Sequence, residues 1–195
     1  MAYKKQSVKQ FTKSKPLKAL LIIDMQAGSF SAETPRYKAA EVIQRINALS
    51  GLFRKQANPV IFVQHDGTRE HCFIPGTDDW QLLDELDKSP EDVFLSKTAN
   101  DTFYDTNLDE FLKTRGIKEV IITGCATDFC VESTIQSALV RDYNVTVISD
   151  GHTAADRPHA TAKTVIEHYN WVWANLSPTK GKIEVVPFED FVGMT

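Results

Sequence analysis

Three side chains that together make a nucleophile, a base and a counter-cation stand beyond apolar runs in this chain. Asp24 follows Leu20-Leu21-Ile22-Ile23, Lys97 follows Val93-Phe94-Leu95-Ser96, and Cys130 lies six residues past Gly124, which closes Val120-Ile121-Ile122-Thr123. A thiol attacks carbon as its thiolate, so it needs an acceptor for its proton and a cation to hold the anion. A carboxylate and an ammonium group supply both. The stretch Glu119 to Thr134 reads as a buried strand, a tight turn of small and polar residues, then a helix with Val131, Ile135, Ala138 and Leu139 on one side. Cys130 is therefore placed near a helix start, where free N–H groups and the helix dipole favour an anion and would lower the thiol pKa. The same N–H groups can hold an oxyanion. A lone cysteine is also ordinary core packing, so Cys130 carries the reading only if its companions reach it.

What must bring them together is the alternation of strands and helices. Strands are read at Lys18–Gln26, Val60–Val63, Val93–Leu95, Glu119–Thr123, Val145–Ile148 and Ile183–Val186. The first is apolar on both faces, as a strand covered by helices must be. A helix is expected from Pro35, with Ala39, Val42, Ile43, Ile46 and Leu49 at helical spacing. A short one is expected over Trp80–Leu83, one over residues 106–115 closed by Gly116, and one from Pro158 to Trp173. This order predicts an α/β fold, a three-layer α/β/α sandwich of the Rossmann-like kind around a six-stranded, mainly parallel sheet. Parallel strands end on one edge, where open sheets bind their ligands, and so Asp24, Lys97 and Cys130 are predicted to converge there.

The 195 residues suit one domain, 42% hydrophobic and 25% charged, with formal charge -4. That balance gives no electrostatic case for nucleic acid or an anionic membrane. Residues 1–18 carry six lysines and no acid, leaving 16 basic against 26 acidic residues in the body. They are read as a basic N-terminal arm, solvated or touching a neighbouring subunit, ahead of a single domain at 19–195. Cys72, Cys125 and Cys130 make no C-x-x-C pair, which fits a reducing compartment and a cytoplasmic location. The apolar run Ala19 to Ile23 stops at Asp24, too short for a signal core or a membrane span.

The chain resembles the isochorismatase-like cysteine hydrolases, which include nicotinamidases and other small amidases. The resemblance rests on Leu21-Ile22-Ile23-Asp24-Met25-Gln26, on Lys97 followed by Phe103, Thr106 and Leu108, and on Gly124-Cys125-Ala126-Thr127-Asp128-Phe129-Cys130-Val131, in that order. It implies a six-stranded parallel sheet, a catalytic Asp24, Lys97 and Cys130, and a non-proline cis peptide between Cys125 and Ala126. That peptide would aim the Ala126 N–H, with the Cys130 N–H, at a substrate oxygen. The activity implied is hydrolysis of a small amide through a thioester on Cys130. The alternatives are a vinyl ether hydrolase, which needs no thiol here, a nicotinamidase, or a catalytically silent binding homologue. Nicotinamidases bind a metal through an Asp-x-His pair and a further histidine. Here Thr68 stands where that pair's histidine belongs, so no metal or other cofactor is expected, and His65, Asp66 and His71 are the set that would hold one. His65-Asp66-Gly67, Pro75-Gly76-Thr77 and Trp80 are instead similar to general amide hydrolases.

Gln26, Phe30, Trp80, Phe103, Thr127 and Phe129 are expected to line the substrate pocket, since each neighbours a proposed catalytic group or belongs to a loop above the edge. His152 is assigned turn duty, and Cys125 an inert buried role. Trp171 and Trp173 cannot share one helix face, which points to a homo-oligomer, dimer or tetramer, as the partner beside a small-molecule substrate. No G-x-G-x-x-G or Walker loop follows any strand, so a nucleotide-binding protein lacks its phosphate cradle. A thiol-redox role lacks a resolving cysteine. Rapid alkylation of Cys130 at neutral pH is the expected mark of the enzyme over a silent homologue.

Overall fold

The computed structural model describes residues 18–194. The basic arm lies outside the described residues except for Lys18, which opens the first strand. Six strands form one sheet, β1 (Lys18–Ile23), β2 (Val60–His65), β3 (Val93–Lys97), β4 (Glu119–Cys125), β5 (Asn144–Thr153) and β6 (Ile183–Val186). They run in the order β3-β2-β1-β4-β5-β6, every pair parallel. With β2 on one side and β4 on the other, β1 is central, and Ala19 to Ile23 are wholly buried.

Alternate β1 side chains serve opposite layers, as the two-residue strand period requires. Leu21 and Ile23 pack with Leu108 and Leu112 of α2 (Leu108–Thr114), Ile135 and Ala138 of α3 (Glu132–Val140) and Trp173 of α4 (Ala162–Ala174). Leu20 and Ile22 pack with Val42, Ile46, Leu49 and Phe53 of α1 (Ala39–Lys55) and with Phe191 of α5 (Phe188–Gly193). Burying a Leu or Ile side chain contributes roughly 1.5–3 kcal/mol, so both layers are held by the same strand. This is the expected three-layer α/β/α architecture, open at both sheet edges.

Several boundaries differ from the sequence expectation. Pro35 does not start α1, because Lys38 takes a left-handed conformation before Ala39. The expected helix at Trp80–Leu83 is a 3₁₀ turn at Asp78–Trp80. Pro158 likewise precedes α4, whose N-cap is Thr161, with its side-chain oxygen accepting the Thr164 N–H. The short α5 at the C-terminal end carries only two turns of pattern and was not expected. Before α3 the chain makes a π-type turn at Thr127–Val131.

The largest difference is β5, which runs on through Ser149-Asp150-Gly151-His152 to Thr153, where a turn was expected. The β4–β5 register shifts between Ile122 and Gly124, so that Gly124 lies opposite His152 and Cys125 opposite Thr153. Gly124 has φ +115°, and a Cβ there would sit 2.2 Å from the Ile23 carbonyl oxygen. Only glycine lets β4 close on β1 at this point, and the strand ends that follow carry the site.

Candidate active site

Asp24 leaves β1 with φ 47°, its N–H donating to the Val63 carbonyl at 3.0 Å. This turns its carboxylate across the sheet edge toward the end of β3. There Lys97 Nζ meets Asp24 Oδ2 at 2.7 Å, donates to the Ala99 carbonyl at 2.9 Å, and donates to Cys130 Sγ at 3.4 Å. All three ammonium hydrogens thus have acceptors. Lys97 is 2% exposed and Asp24 6% exposed. Burial works against the Lys97 charge, but Asp24 and then Cys130 outweigh it and hold its pKa above the ordinary value.

Cys130 comes from the π-type turn, whose entrance is fixed by the Ala126 carbonyl accepting the Phe129 and Val131 N–H groups at 3.0 and 3.2 Å. The Cys125–Ala126 peptide is cis. Burial pushes the Cys130 thiol well above the ordinary range, Asp24 pushes it further, and Lys97 only partly offsets them. The expected acidified thiol is therefore corrected. Desolvation and a facing carboxylate exceed the help of a turn and a cation, so rapid alkylation at neutral pH is not its mark. The thiol donates weakly to Asn100 Oδ1 at 3.6 Å. The deeper Cys125 is 1% exposed, and burial raises its pKa to about 12.

These groups open on a cavity of about 210 Å³ whose wall includes Asp24, Cys130, Ala126, Asn100, Phe129 and Arg36. Phe129, expected there, is half exposed, with the Arg157 guanidinium 5.0 Å from its ring centroid. Gln26 also reaches the wall, but its two amide hydrogens go to the His65 and Trp80 carbonyls at 3.1 and 3.0 Å. Its Oε1 accepts the His65 N–H at 2.7 Å, so it clamps the end of β2 to the following loop.

The other expected pocket residues lie elsewhere. Phe30 packs on the α1 layer and borders a separate surface groove with Ile43 and Leu83. Trp80 offers its carbonyl to Gln26 and Gln64 and lies outside the cavity wall. Phe103 is 4% exposed and stacked on Tyr143 in the α2–α3 core, because it continues the buried face begun at Thr102. Thr127 is fully buried, its hydroxyl turned to His152 Nδ1 at 2.9 Å.

That last contact gives His152 more than turn duty. Asn170 Nδ2 donates to the Ser149 carbonyl, which leaves Asn170 Oδ1 to accept from His152 Nε2 at 3.0 Å. His152 Nδ1 must then accept the Thr127 hydroxyl hydrogen. Burial lowers the His152 pKa to about 4, so the ring is neutral. Its edge meets Trp173 at 5.1 Å between centroids, and Trp173 Nε1 donates to the Glu132 carboxylate at the start of α3. A neutral imidazole thus braces the turn that presents Cys130.

His65, Asp66 and His71, the set that would hold a metal, do not converge on one point. Asp66 Oδ1 accepts from Thr68 N and Oγ1 at 3.0 and 2.5 Å, which holds its pKa below the usual carboxylate range. His65 lies at the cavity wall and His71 on an exposed left-handed turn. Among the described residues no three His, Cys, Asp or Glu side chains cluster to hold an ion. Sequence reasoning missed Arg36, Asn100, Phe73 and Arg157, all of them cavity-lining. They come from loops without periodicity. The spacing Lys97 to Asn100 in a polar loop was the one available signal.

An open parallel α/β sheet with a buried carboxylate–ammonium pair and a partly buried thiol at its strand-end edge defines the class. The isochorismatase domain model matches residues 18–177, and the chain belongs to the isochorismatase family. A streptothricin hydrolase from Streptomyces noursei is 31% identical over 75% of this chain and 58% of its own length. A ureidoacrylate amidohydrolase from Methylorubrum extorquens is 36% identical over 53% of this chain and 43% of its own. The chain thus spans about half the length of these relatives. A crystal structure of an isochorismatase family protein, 33% identical, superposes with TM-score 0.78 over 85% of this chain and 96% of the other. Among the described residues no helix is long and apolar enough to cross a membrane.

Proposed function

We propose that this protein hydrolyses a carbon–nitrogen bond of a small amide through a thioester on Cys130. The observation that carries the reading is the contact of one ammonium group, Lys97 Nζ, with both Asp24 Oδ2 and Cys130 Sγ at the wall of one cavity. Similarity to a streptothricin hydrolase and to a ureidoacrylate amidohydrolase supports the reaction class.

In this mechanism the resting thiol keeps its proton. As Sγ approaches the amide carbon, the proton passes to Asp24 and Lys97 balances the charge left on sulfur. The carbonyl oxygen takes up negative charge facing the Ala126 and Cys130 N–H groups, each such donor being worth about 2.7–4 kcal/mol. Asp24 then gives its proton to the nitrogen, the C–N bond breaks, and ammonia or an amine departs. Water attacks the thioester, Asp24 takes one of its protons and returns it to sulfur, and the acid leaves. Of the pocket residues, Phe129 and Asn100 are assigned to substrate contact. An oligomer remains part of the proposal, supported by Trp171 being 65% exposed on α4 while Trp173 is buried, and sedimentation velocity tests it.

The mechanism is tested by rapid acid quench with a small primary amide, followed by peptide mass spectrometry. An acyl adduct on the peptide holding Cys130 is expected. Turnover with no adduct on that peptide at any quench time, under conditions that preserve thioesters, would contradict it.

A further inference from the structure

Charge around the cavity does not balance. Asp24 is paired with Lys97. Arg157 is spent on Asp128, its Nε and Nη2 each 2.7 Å from a carboxylate oxygen. Arg36 has no such partner: among the described residues its one hydrogen bond runs from Nε to the Ser29 carbonyl at 2.5 Å, and no carboxylate lies within ion-pair distance. That bond fixes the plane of the guanidinium and leaves both Nη groups with their hydrogens.

The group is half-buried and shares its cavity with Cys130 and Ala126. Its field reaches the cavity floor. Burial raises the pKa of Cys125, and Arg36 is the largest influence opposing that rise.

We propose that the substrate is a small primary amide or ureide with a carboxylate at its far end, which Arg36 holds while the amide carbon meets Cys130. The assignment of the amide end rests on the hydrolase reading above. A guanidinium with two free Nη groups matches a carboxylate in a two-bond fork. A neutral group at that end would take water from the cation without returning an anion. A cavity of about 210 Å³ suits a small substrate.

The experiment uses matched probes, succinamate against succinamide and N-carbamoylglycine against N-carbamoylglycinamide. Calorimetric binding is measured to Cys130→Ala and to Cys130→Ala with Arg36→Ala, while ammonia release is measured separately with the unaltered enzyme. Binding of at least one acid tighter than its neutral twin by about 10- to 100-fold is expected, falling to near parity without Arg36. Arg36→Lys should restore part of the preference, by charge without the fork. Equal affinities, a preference for the neutral twins, no measurable binding of any probe, or an acid preference that survives Arg36→Ala would overturn the proposal. If the acids bind as expected but none releases ammonia, the anion site stands and the hydrolase reading fails.

Discussion

Cys130 is a partly buried thiol whose proton is held by its surroundings, with Asp24 raising its pKa and Lys97 opposing. Asp24→Asn separates reactivity from catalysis, because it deletes a raising influence and leaves the lowering one. Its thiol should ionise at lower pH than in the unaltered protein, and iodoacetamide should modify Cys130 faster at pH 8. Turnover should nevertheless be lost, since no base remains. Slower alkylation in Asp24→Asn would show that Asp24 does not face the thiol. Lys97→Met should behave differently, stranding a buried carboxylate at a cost of about 3–5 kcal/mol, visible as a lower urea midpoint. The three residues were legible because Lys97 ends a strand while Asp24 and Cys130 follow one. Phe103 and Thr127 were misplaced because sequence proximity to a reactive group says nothing about direction, and both side chains turn inward.

The element that decides the site is the β4 end with its π-type turn, held from behind by the continuation of β5. Thr127→Val keeps the shape but removes the hydroxyl that satisfies His152 Nδ1. A buried acceptor left unpaired costs about 1–3 kcal/mol, so the urea midpoint should fall accordingly, with kcat reduced more than KM is raised because the Cys130 turn loses its brace. An unchanged midpoint would mean that the bond contributes nothing. The strand runs Leu20 to Ile23 and Val120 to Thr123 could be read because buried parallel strands are apolar on both faces. The extension of β5 could not, since Ser149-Asp150-Gly151-His152 has turn composition and pairs only because the β4–β5 register shifts at Gly124. Pro35 and Pro158 were read as helix starts, yet each lies four residues upstream of one. The far cavity wall was hidden for a related reason: Arg36, Phe73 and Arg157 meet only after the sheet has brought their loops to one edge.

Across the whole molecule, a parallel sheet gathers strand ends from residues 24, 97 and 130 into one crevice, and its stability is tied to a neutral histidine deep behind that crevice. His152 has its pKa lowered from 6.5 to about 4 by burial. A lowered folded value means that the unfolded chain takes up the proton first. The contribution is complete above pH 6.5 and lost as pH falls toward 4, amounting to about 3 kcal/mol. Urea midpoints measured from pH 7 to pH 4 should decline, and His152→Gln should be less stable at pH 7 but flatter over that range. An equally steep decline in His152→Gln would assign the acid sensitivity to other groups. The expectations about turnover depend on the Cys130 sulfur as the reacting atom, and the most direct test is ammonia release from a panel of small amides and ureides by the unaltered protein and by Cys130→Ala. The account predicts release by the former and a loss of more than about 10³-fold in the latter, with an unchanged melting temperature. Release by Cys130→Ala at the unaltered rate would contradict it.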